Sequence, residues 1–350
     1  MSPARPTEGA NSLSEGQGRR PKVAPVHARR HRTPLAQQRG AALLLAMLIL
    51  TLVSTLAAGM VWQQWRAIQV ESAERARTQA AWILSGALDW ARLILREDAR
   101  TPDVDHLGEP WAVPLAEARL SSFLAADRDN NSVAENDSLD AFLSGSITDA
   151  QSHWNLRRLI DGEGKVVPAE LRVLERLCDQ AGAPSDCASR ISNALAQAWA
   201  PRALADSAAA IAPQRLSQLA WLGIDADTLR RLEPWVIVLP AVDTRVNVNT
   251  APAEVIAAAV DGMSLGSAQR LVQERQRRFV RAVEASPGRD YFPADPTTNL
   301  DRLGVTSRYF MVQGRLRLDN RVLEERSLVE RRGLDMIVLL RERLNLRDGN

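Results

Sequence analysis

The chain has 350 residues, 45% of them hydrophobic, and a formal net charge of +2. That length allows a membrane anchor and two modest domains, and the near-neutral balance excludes the global basic field by which many nucleic-acid binders gather their ligand. Among 44 basic residues only Lys22 and Lys165 are lysine, which reads as a coding bias rather than a binding surface, and the four histidines (His27, His31, His106, His153) are too scattered for a zinc site.

Residues 1–38 are rich in Pro, Gly, Ser and Arg without hydrophobic period, so disorder is expected there. Arg29, Arg30, Arg32 and Arg39 then precede an apolar run, and Ala41–Val61 contains neither charge nor proline. As a helix this run spans about 30 Å, the hydrocarbon thickness of a bilayer. Arginines on its N-terminal flank place the N-terminus inside and the remainder outside. An ordinary signal peptide has a shorter apolar region, about 7–15 residues, although the small residues around Ala57 and Ala58 would allow cleavage there. The run continues without a break into an amphipathic pattern in which Trp65, Ile68, Ala76, Trp82, Ile83, Leu88, Trp90 and Ile94 recur at helical steps. This predicts a long helical spine whose aromatic stripe packs against a folded domain.

Ile147–Leu156 is predicted as a first strand. Helical patterning follows from Pro168 to about Asp301, broken at Gly182, Pro201, Pro213, Pro234 and Pro287. Cys178 and Cys187 form a lone close pair, which in an exported chain reads as one local disulfide contributing roughly 2–3 kcal/mol; two buried free thiols are the alternative. Asn247, Asn249 and Thr250 precede Pro252 and are expected to cap a helix. At the end, Leu316 and Leu318 alternate with Arg315 and Arg317, Asp319-Asn320 reads as a turn, and strands are predicted at Val322–Arg331 and Met336–Leu340 around a turn at Arg332-Gly333. A strand from before residue 160 must therefore pair with a meander after 305, leaving the helical stretch as an insertion.

Basic residues, then Gly40, then an apolar helix from Ala41 resemble the class III leader of type IV prepilins and type II secretion pseudopilins. The resemblance implies that a prepilin peptidase cuts between Gly40 and Ala41 and that the new N-terminus is methylated. The fifth mature residue, normally Glu, is here Leu45. An ionised group in lipid costs about 2.5–3.5 kcal/mol and needs a partner, so a subunit that enters a filament first gains by lacking it. This absence is a feature of the K-type minor pseudopilin. Glu109–Leu115 (EPWAVPL), Leu143–Leu159, Val236–Ala259 with its Asn-x-Asn-Thr-Ala-Pro run, and Arg332–Leu344 look like segments of the same family.

The resemblance implies an α+β, pilin-like fold: a long N-terminal helix and a small antiparallel sheet, with a large inserted all-α domain containing helix-hairpin-helix or SAM-like elements. The implied divisions are a leader at 1–40, a transmembrane half-helix at 41–62, the amphipathic helix and first pilin-like part at 63–160, the insert at 161–304 and closing strands at 305–350. The implied function is a non-enzymatic minor pseudopilin that initiates or caps the pseudopilus tip. Its partners would be the I- and J-type minor pseudopilins, the major pseudopilin, the prepilin peptidase and the inner-membrane secretion platform. It would be a single-pass protein of the bacterial inner membrane with periplasmic C-terminal domains.

Two rival chemistries are weighed. Val246–Phe279 also resembles a helix-hairpin-helix DNA-binding module of the uptake-receptor kind, which grips phosphate with a Gly-x-Gly turn. Here the turn is Gly262-Met263-Ser264, and Arg270, Arg275, Arg277 and Arg278 sit among Gln and Glu, so no nucleic-acid partner is expected. Gly262-Met263-Ser264-Leu265-Gly266 fits a nucleophile elbow, but no strand precedes it and no histidine follows His153. Calcium is the one cofactor the family resemblance brings, and hard cations need several oxygens close together. The acidic pattern expected after a helix is replaced by Ala198-Trp199-Ala200-Pro201; the remaining clusters are Asp127, Asp129, Asn130 and Asn131, and Asp290, Asp295 and Asp301, the last three being the candidate metal ligands.

Overall fold

The computed structural model describes residues 39–101, 104–120, 141–200, 211–286, 288–295, 298–318 and 321–347. Helix α1 runs from Arg39 to Asp98, and the chain divides into two compact units, residues 1–69 and 70–350. In the first unit the described side chains are exposed throughout. Among the described helices α1 alone is long and apolar enough to cross a membrane, its most apolar 18-residue window having a mean hydropathy of 2.4 with no burial. The hydroxyls of Thr51 and Thr55 donate to the carbonyls of Leu48 and Leu52, both at 2.9 Å, so neither offers an unsatisfied donor to lipid.

In the second unit, α1 buries Ala80, Leu84, Leu88, Ala91 and Leu95. Their steps of four, four, three and four residues keep them on one face. The predicted aromatic packing stripe is corrected here: Trp82 is 76% exposed and Trp90 51%. The reason lies in the sheet beneath. Gly145 and Gly314 stand opposite one another, and a Cβ on Gly314 would come within 3.2 Å of Leu84 Cδ2. Helix and sheet approach too closely for indole rings, so leucine and alanine fill the seam.

The sheet has the order β1-β2-β7-β8-β9, with β1 at Leu115–Arg119, β2 at Ala141–Asp149, β7 at Tyr309–Leu318, β8 at Arg321–Arg332 and β9 at Asp335–Arg347. All its pairs are antiparallel. Phe310, Val312, Leu316 and Leu318 alternate onto the buried face with Leu143 and Ile147. Strand β2 thus pairs along its length with the C-terminal meander, as the pattern predicts. Its boundaries differ from the predicted Ile147–Leu156. The strand ends at Asp149, whose carboxylate accepts the Gln151 N–H at 2.7 Å and turns the chain into a 3-10 turn at Ala150–Ser152. The Arg332-Gly333 turn has Gly333 at φ 59°, a left-handed value that glycine adopts freely; Asp319 and Asn320 lie outside the described residues.

Between β2 and β7 lie helices α2 (Pro168–Gln180), α3 (Cys187–Ala198), α4 (Ala226–Leu232), α5 (Ala253–Ala259) and α6 (Leu265–Arg275), with a 3-10 helix at Leu216–Leu222. Pro168 opens α2 at its first turn, where no backbone donor is missed. The helices share one core, including Leu174, Leu177, Ile191, Leu195, Val255 and Ile256. The predicted all-α character is corrected: β3 (Trp154–Asn155) pairs in parallel with β4 (Val236–Ile237), and β5 (Val246–Asn247) with β6 (Leu303–Gly304). These two short ladders tie the middle of the inserted segment to its ends. On the sheet face away from α1, Tyr309 and Leu328 pack against Leu239 and Ala150, closing a small core between sheet and insert.

Candidate functional site

Two places in the second unit combine position with chemistry. The first is the flank of α1. Trp82, Trp90 and Leu93 are exposed on the helix. Beside them an apolar groove of about 900 Å³ runs between Ile83, Ala87, Trp90 and Ile94 of α1 and Pro110 and Leu115. The helix therefore carries a second apolar stripe that the described residues do not cover. Trp82 and Trp90 stand out by helical periodicity, which by itself puts them on the packed face, whereas Leu93 is not singled out by it.

The second is a polar joint where sheet meets insert. Asn247 donates from Nδ2 to Asp149 Oδ2, Ser307 Oγ and the Asp105 carbonyl, each at 3.0 Å, and its Oδ1 accepts the Asn249 N–H at 3.0 Å. Asn249 brackets Val280, donating to its carbonyl at 2.9 Å and accepting its N–H at 2.8 Å. The Thr250 and Ser307 hydroxyls each donate to Asp149 Oδ2 at 2.6 Å. The capping expectation for Asn247, Asn249 and Thr250 is corrected: Pro252 holds the N-cap of α5 and no side chain caps it. Pro252 has no side-chain acceptor with which to cap the helix; Asn247 closes its Asx turn earlier, on the Asn249 N–H, and the Asn249 and Thr250 side chains turn inward.

Beside this network Arg331 donates from Nη1 to Asp98 Oδ2 at 2.7 Å and from Nη2 to both Asp105 oxygens at 2.6 Å. Burial pushes the Asp149 carboxyl up to about 6, against the hydrogen bonds from Ser307, Thr250 and Gln151. Asp98 is pushed up to about 6 by burial and then by the nearby Glu109 charge, with Arg331 opposing. His153, beside the joint, is driven down to about 4 by burial and stands neutral. A second buried carboxylate, Glu170 of α2, lies in the insert core. It accepts Arg302 Nε at 2.8 Å, Arg158 Nη2 at 3.2 Å and Trp154 Nε1 at 3.2 Å. Burial raises its pKa, but the hydrogen bonds and charges of Arg158 and Arg302 outweigh that and hold it below the usual value.

The sequence-predicted site residues are dispersed. Gly40 and Ala41 lie in the first turn of α1, and Leu45 is exposed on it. Cys178 at the end of α2 and Cys187 at the start of α3 are joined, with Cα atoms 6.2 Å apart. Asp290, Asp295 and Asp301 do not converge: Asp290 accepts the Ser286 hydroxyl at 2.9 Å, and Arg289 donates to the Asp295 carbonyl at 3.2 Å. Asp127, Asp129, Asn130 and Asn131 lie outside the described residues. Among the described residues the acids that do converge are Asp98, Asp105 and Glu109, whose oxygens lie within 4.8 Å of one another. Arg331 already spans the first two. Glu109 Oε2 accepts the His106 N–H and the Trp111 indole, both at 2.8 Å. Sequence reading missed Asp105, Asp149, Ser307 and Arg331, which are 24 to 226 positions apart from one another and share no local pattern.

Helices α5 and α6 are joined by a turn at Gly262, at φ 76°. Ser264 accepts the Ser267 N–H at 3.1 Å as the N-cap of α6. Arg275 turns inward, donating to the Val248 and Ala251 carbonyls at 2.6 Å each, so it is not presented to a phosphate.

Comparison with known proteins agrees with this architecture. Residues 152–241 and 246–290 match two family models, both described as type II secretion system protein K. Over these residues the chain is similar to type II secretion system protein K. It is 29% identical to the type II secretion system protein K of Pectobacterium carotovorum, over 88% of this chain and 97% of that one. It is 28% identical to that of Pseudomonas aeruginosa, over 81% and 86% respectively. A solved GspK–GspI–GspJ complex from the enterotoxigenic Escherichia coli type 2 secretion system superposes with a TM-score of 0.53 at 20% identity, covering 77% of this chain and 98% of that chain. At that identity the superposition speaks for the fold, a mixed helix and sheet structure with a long N-terminal helix.

Proposed function

We propose that this protein is a type II secretion system protein K, a minor pseudopilin that starts or caps the pseudopilus and joins its partners through α1. The observation that carries this reading is the second apolar stripe of α1, with Trp82, Trp90 and Leu93 exposed on a helix whose N-terminal part is of membrane-spanning length. Helices of this kind associate by burying a stripe against partner helices. The solved relative was captured with GspI and GspJ, so the corresponding I- and J-type minor pseudopilins are the partners expected here. The role is structural rather than catalytic.

Several finer features support the same reading. Trp62 and Trp65 follow the apolar run, with Arg66 5.7 Å from the Trp62 ring centroid, an arrangement suited to a membrane interface. With arginines on the other flank, the N-terminus faces the cytoplasm and the sheet and insert face the periplasm. Gly40-Ala41 is the processing site, and Leu45 at the fifth mature position suits a subunit that needs no preceding neighbour. The helical insert, with its helix-hairpin-helix pair, is bulk that would obstruct a further subunit stacked on the tip. The candidate calcium ligands, Asp290, Asp295 and Asp301, would have to move together to hold the ion; calorimetric titration of the full chain with calcium gives heat if they gather around it and none if they do not.

The central experiment is co-purification from membranes. Replacing Trp82 and Trp90 by Arg is expected to abolish recovery of the I- and J-type partners while leaving the chain folded and membrane-bound. Undiminished recovery would remove α1 as the assembly surface. N-terminal sequencing of the mature chain checks the leader: Ala41 supports pilin-type processing, and Ala58 an ordinary signal peptide.

A further inference from the structure

The joint contains a buried carboxylate with an unusual set of neighbours. Asp149 Oδ2 receives hydrogens from the Ser307 and Thr250 hydroxyls and the Asn247 amide, and Oδ1 from the Gln151 N–H. Every one of these donors is neutral. The charged groups around it come from all the packed elements. Asp105, in the segment after α1, is a like charge and shares Ser307 and Asn247 with it. Arg331 of β8 is committed to Asp105 and Asp98, with Glu109 behind them. Arg308 of the segment entering β7 directs its guanidinium to Asp243, Glu330 and Tyr309. Arg245, before β5, is exposed, and His153 is neutral. A fully buried charge is therefore held without a cation, which costs several kcal/mol before hydrogen bonding offsets it.

The same geometry suits a protonated acid. A proton on Oδ2 needs an acceptor, and Thr250 Oγ1 lies 2.6 Å away. Its own hydrogen has a second acceptor at hand, the Asn247 carbonyl at 3.4 Å. A single rotation of the Thr250 hydroxyl thus converts it from donor to acceptor towards Asp149, and Ser307 and Asn247 keep their roles. The proton comes from water: a polar pocket of about 420 Å³ reaches Asp105 and Ser307, one residue from Asp149.

We propose that Asp149 is a proton-binding switch at the joint between sheet and insert, closed when it holds a proton shared with Thr250 and loosened when it carries a buried charge. The direction of its pKa shift, upward through burial, agrees with this. The switch would set how firmly the insert is fixed to the sheet as the surrounding pH changes, and it stands or falls independently of which partners α1 binds.

The test uses the full chain in detergent micelles, read by the infrared carbonyl stretch of protonated carboxyls and by hydrogen exchange at the 247–250 amides, corrected for intrinsic rates, across about pH 4.5 to 8. Asp98→Asn removes the other carboxyl expected to titrate in this range. In that background one buried acid band is expected, lost with a midpoint near 6 and accompanied by falling amide protection; Asp149→Asn should abolish both changes. If both persist unaltered in Asp149→Asn, or no band titrates at all, the proposal is overturned. Should Asp149→Asn not fold, Ser307→Ala decides: losing one donor to the charged form should move the midpoint upward by about one pH unit, and an unmoved midpoint overturns the proposal.

Discussion

Glu170 and Asp149 are both buried acids, one in the core of the insert and the other at its joint with the sheet, and their burial is nearly the same, 6% and 3% exposed. Their electrostatic fates are opposite. Glu170 meets two arginines and is held below its ordinary pKa, whereas Asp149 meets only neutral donors and is raised to about 6. Depth alone therefore does not decide the charge state of a buried carboxylate. What decides it is whether the fold brings a cation to it, since neutral donors recover only part of the hydration that burial removes. The insert core is built as a permanent ion cluster, and the joint as a group that can change its charge.

The largest expected effect comes from breaking the first member of this pair. Arg302 is 5% exposed and donates to Glu170 at 2.8 Å. Arg302→Leu leaves Glu170 buried with only Arg158, and about 3–5 kcal/mol of stability should be lost, read by denaturation of the full chain in detergent. Removing Glu170 in the same chain (Glu170→Met) should recover much of that loss. At the joint the corresponding break is smaller. Asn247→Ala deletes three donated hydrogen bonds from a side chain of 0% exposure, and should cost about 1–3 kcal/mol. If Asn247→Ala proved as damaging as Arg302→Leu, the distinction between a charged core and a switchable joint would lose its basis.

How much of this was legible in the sequence differs between the two regions of the molecule as well. The membrane-length half of α1, the pairing of an early strand with the C-terminal meander and the helical insert follow from local periodicity, which each segment carries in itself. The facing of α1 does not. Trp82 and Trp90 recur at helical steps just as Leu84, Leu88 and Leu95 do, and only the Gly145–Gly314 approach under Leu84 decides which stripe is buried. The joint was hidden for a different reason. Asn247, Asn249 and Thr250 before a proline satisfy the pattern of a helix cap, and their real partners, Asp149, Ser307 and Val280, lie 31 to 101 positions away. Likewise the acids grouped by sequence, Asp290, Asp295 and Asp301, stay apart, while Asp98, Asp105 and Glu109 are drawn together by the turn that follows α1.

The seam that decides the facing of α1 gives a more modest prediction. A Cβ on Gly145 would come within 2.8 Å of the Gln313 carbonyl, a backbone atom that cannot swing aside, whereas on Gly314 it meets only the far end of the Leu84 side chain. Gly145→Ala should therefore lower stability by about 1–2 kcal/mol, and Gly314→Ala by less. Equal effects would mean that the helix, rather than the neighbouring strand, sets the spacing at this crossing.

The smallest effect, and the one that tests the comparison most directly, is the sign of the pH dependence. Asp149 is raised from 3.8 to about 6 in the folded chain. Between those values the folded state binds the proton that the unfolded state has released, so stability falls as pH rises through this window and is level above it. Glu170 is lowered, so the unfolded state binds its proton first on acidification. Its contribution is complete above the unfolded pKa and is lost as pH falls through the folded one. Each group sets a slope of at most about 1.4 kcal/mol per pH unit, because one proton is linked to folding in each case. In denaturation series from about pH 4 to 7 on the Asp98→Asn background, which removes the other carboxyl raised to about 6, Asp149→Asn should remove the part of the slope that falls with pH and leave the acid limb that Glu170 contributes, while Glu170→Gln with Arg302→Leu should do the reverse. A pair of variants that both flattened the same limb would show that the two carboxylates respond to one shared field, and that the arginines around Glu170 reach further across the insert than their hydrogen bonds indicate.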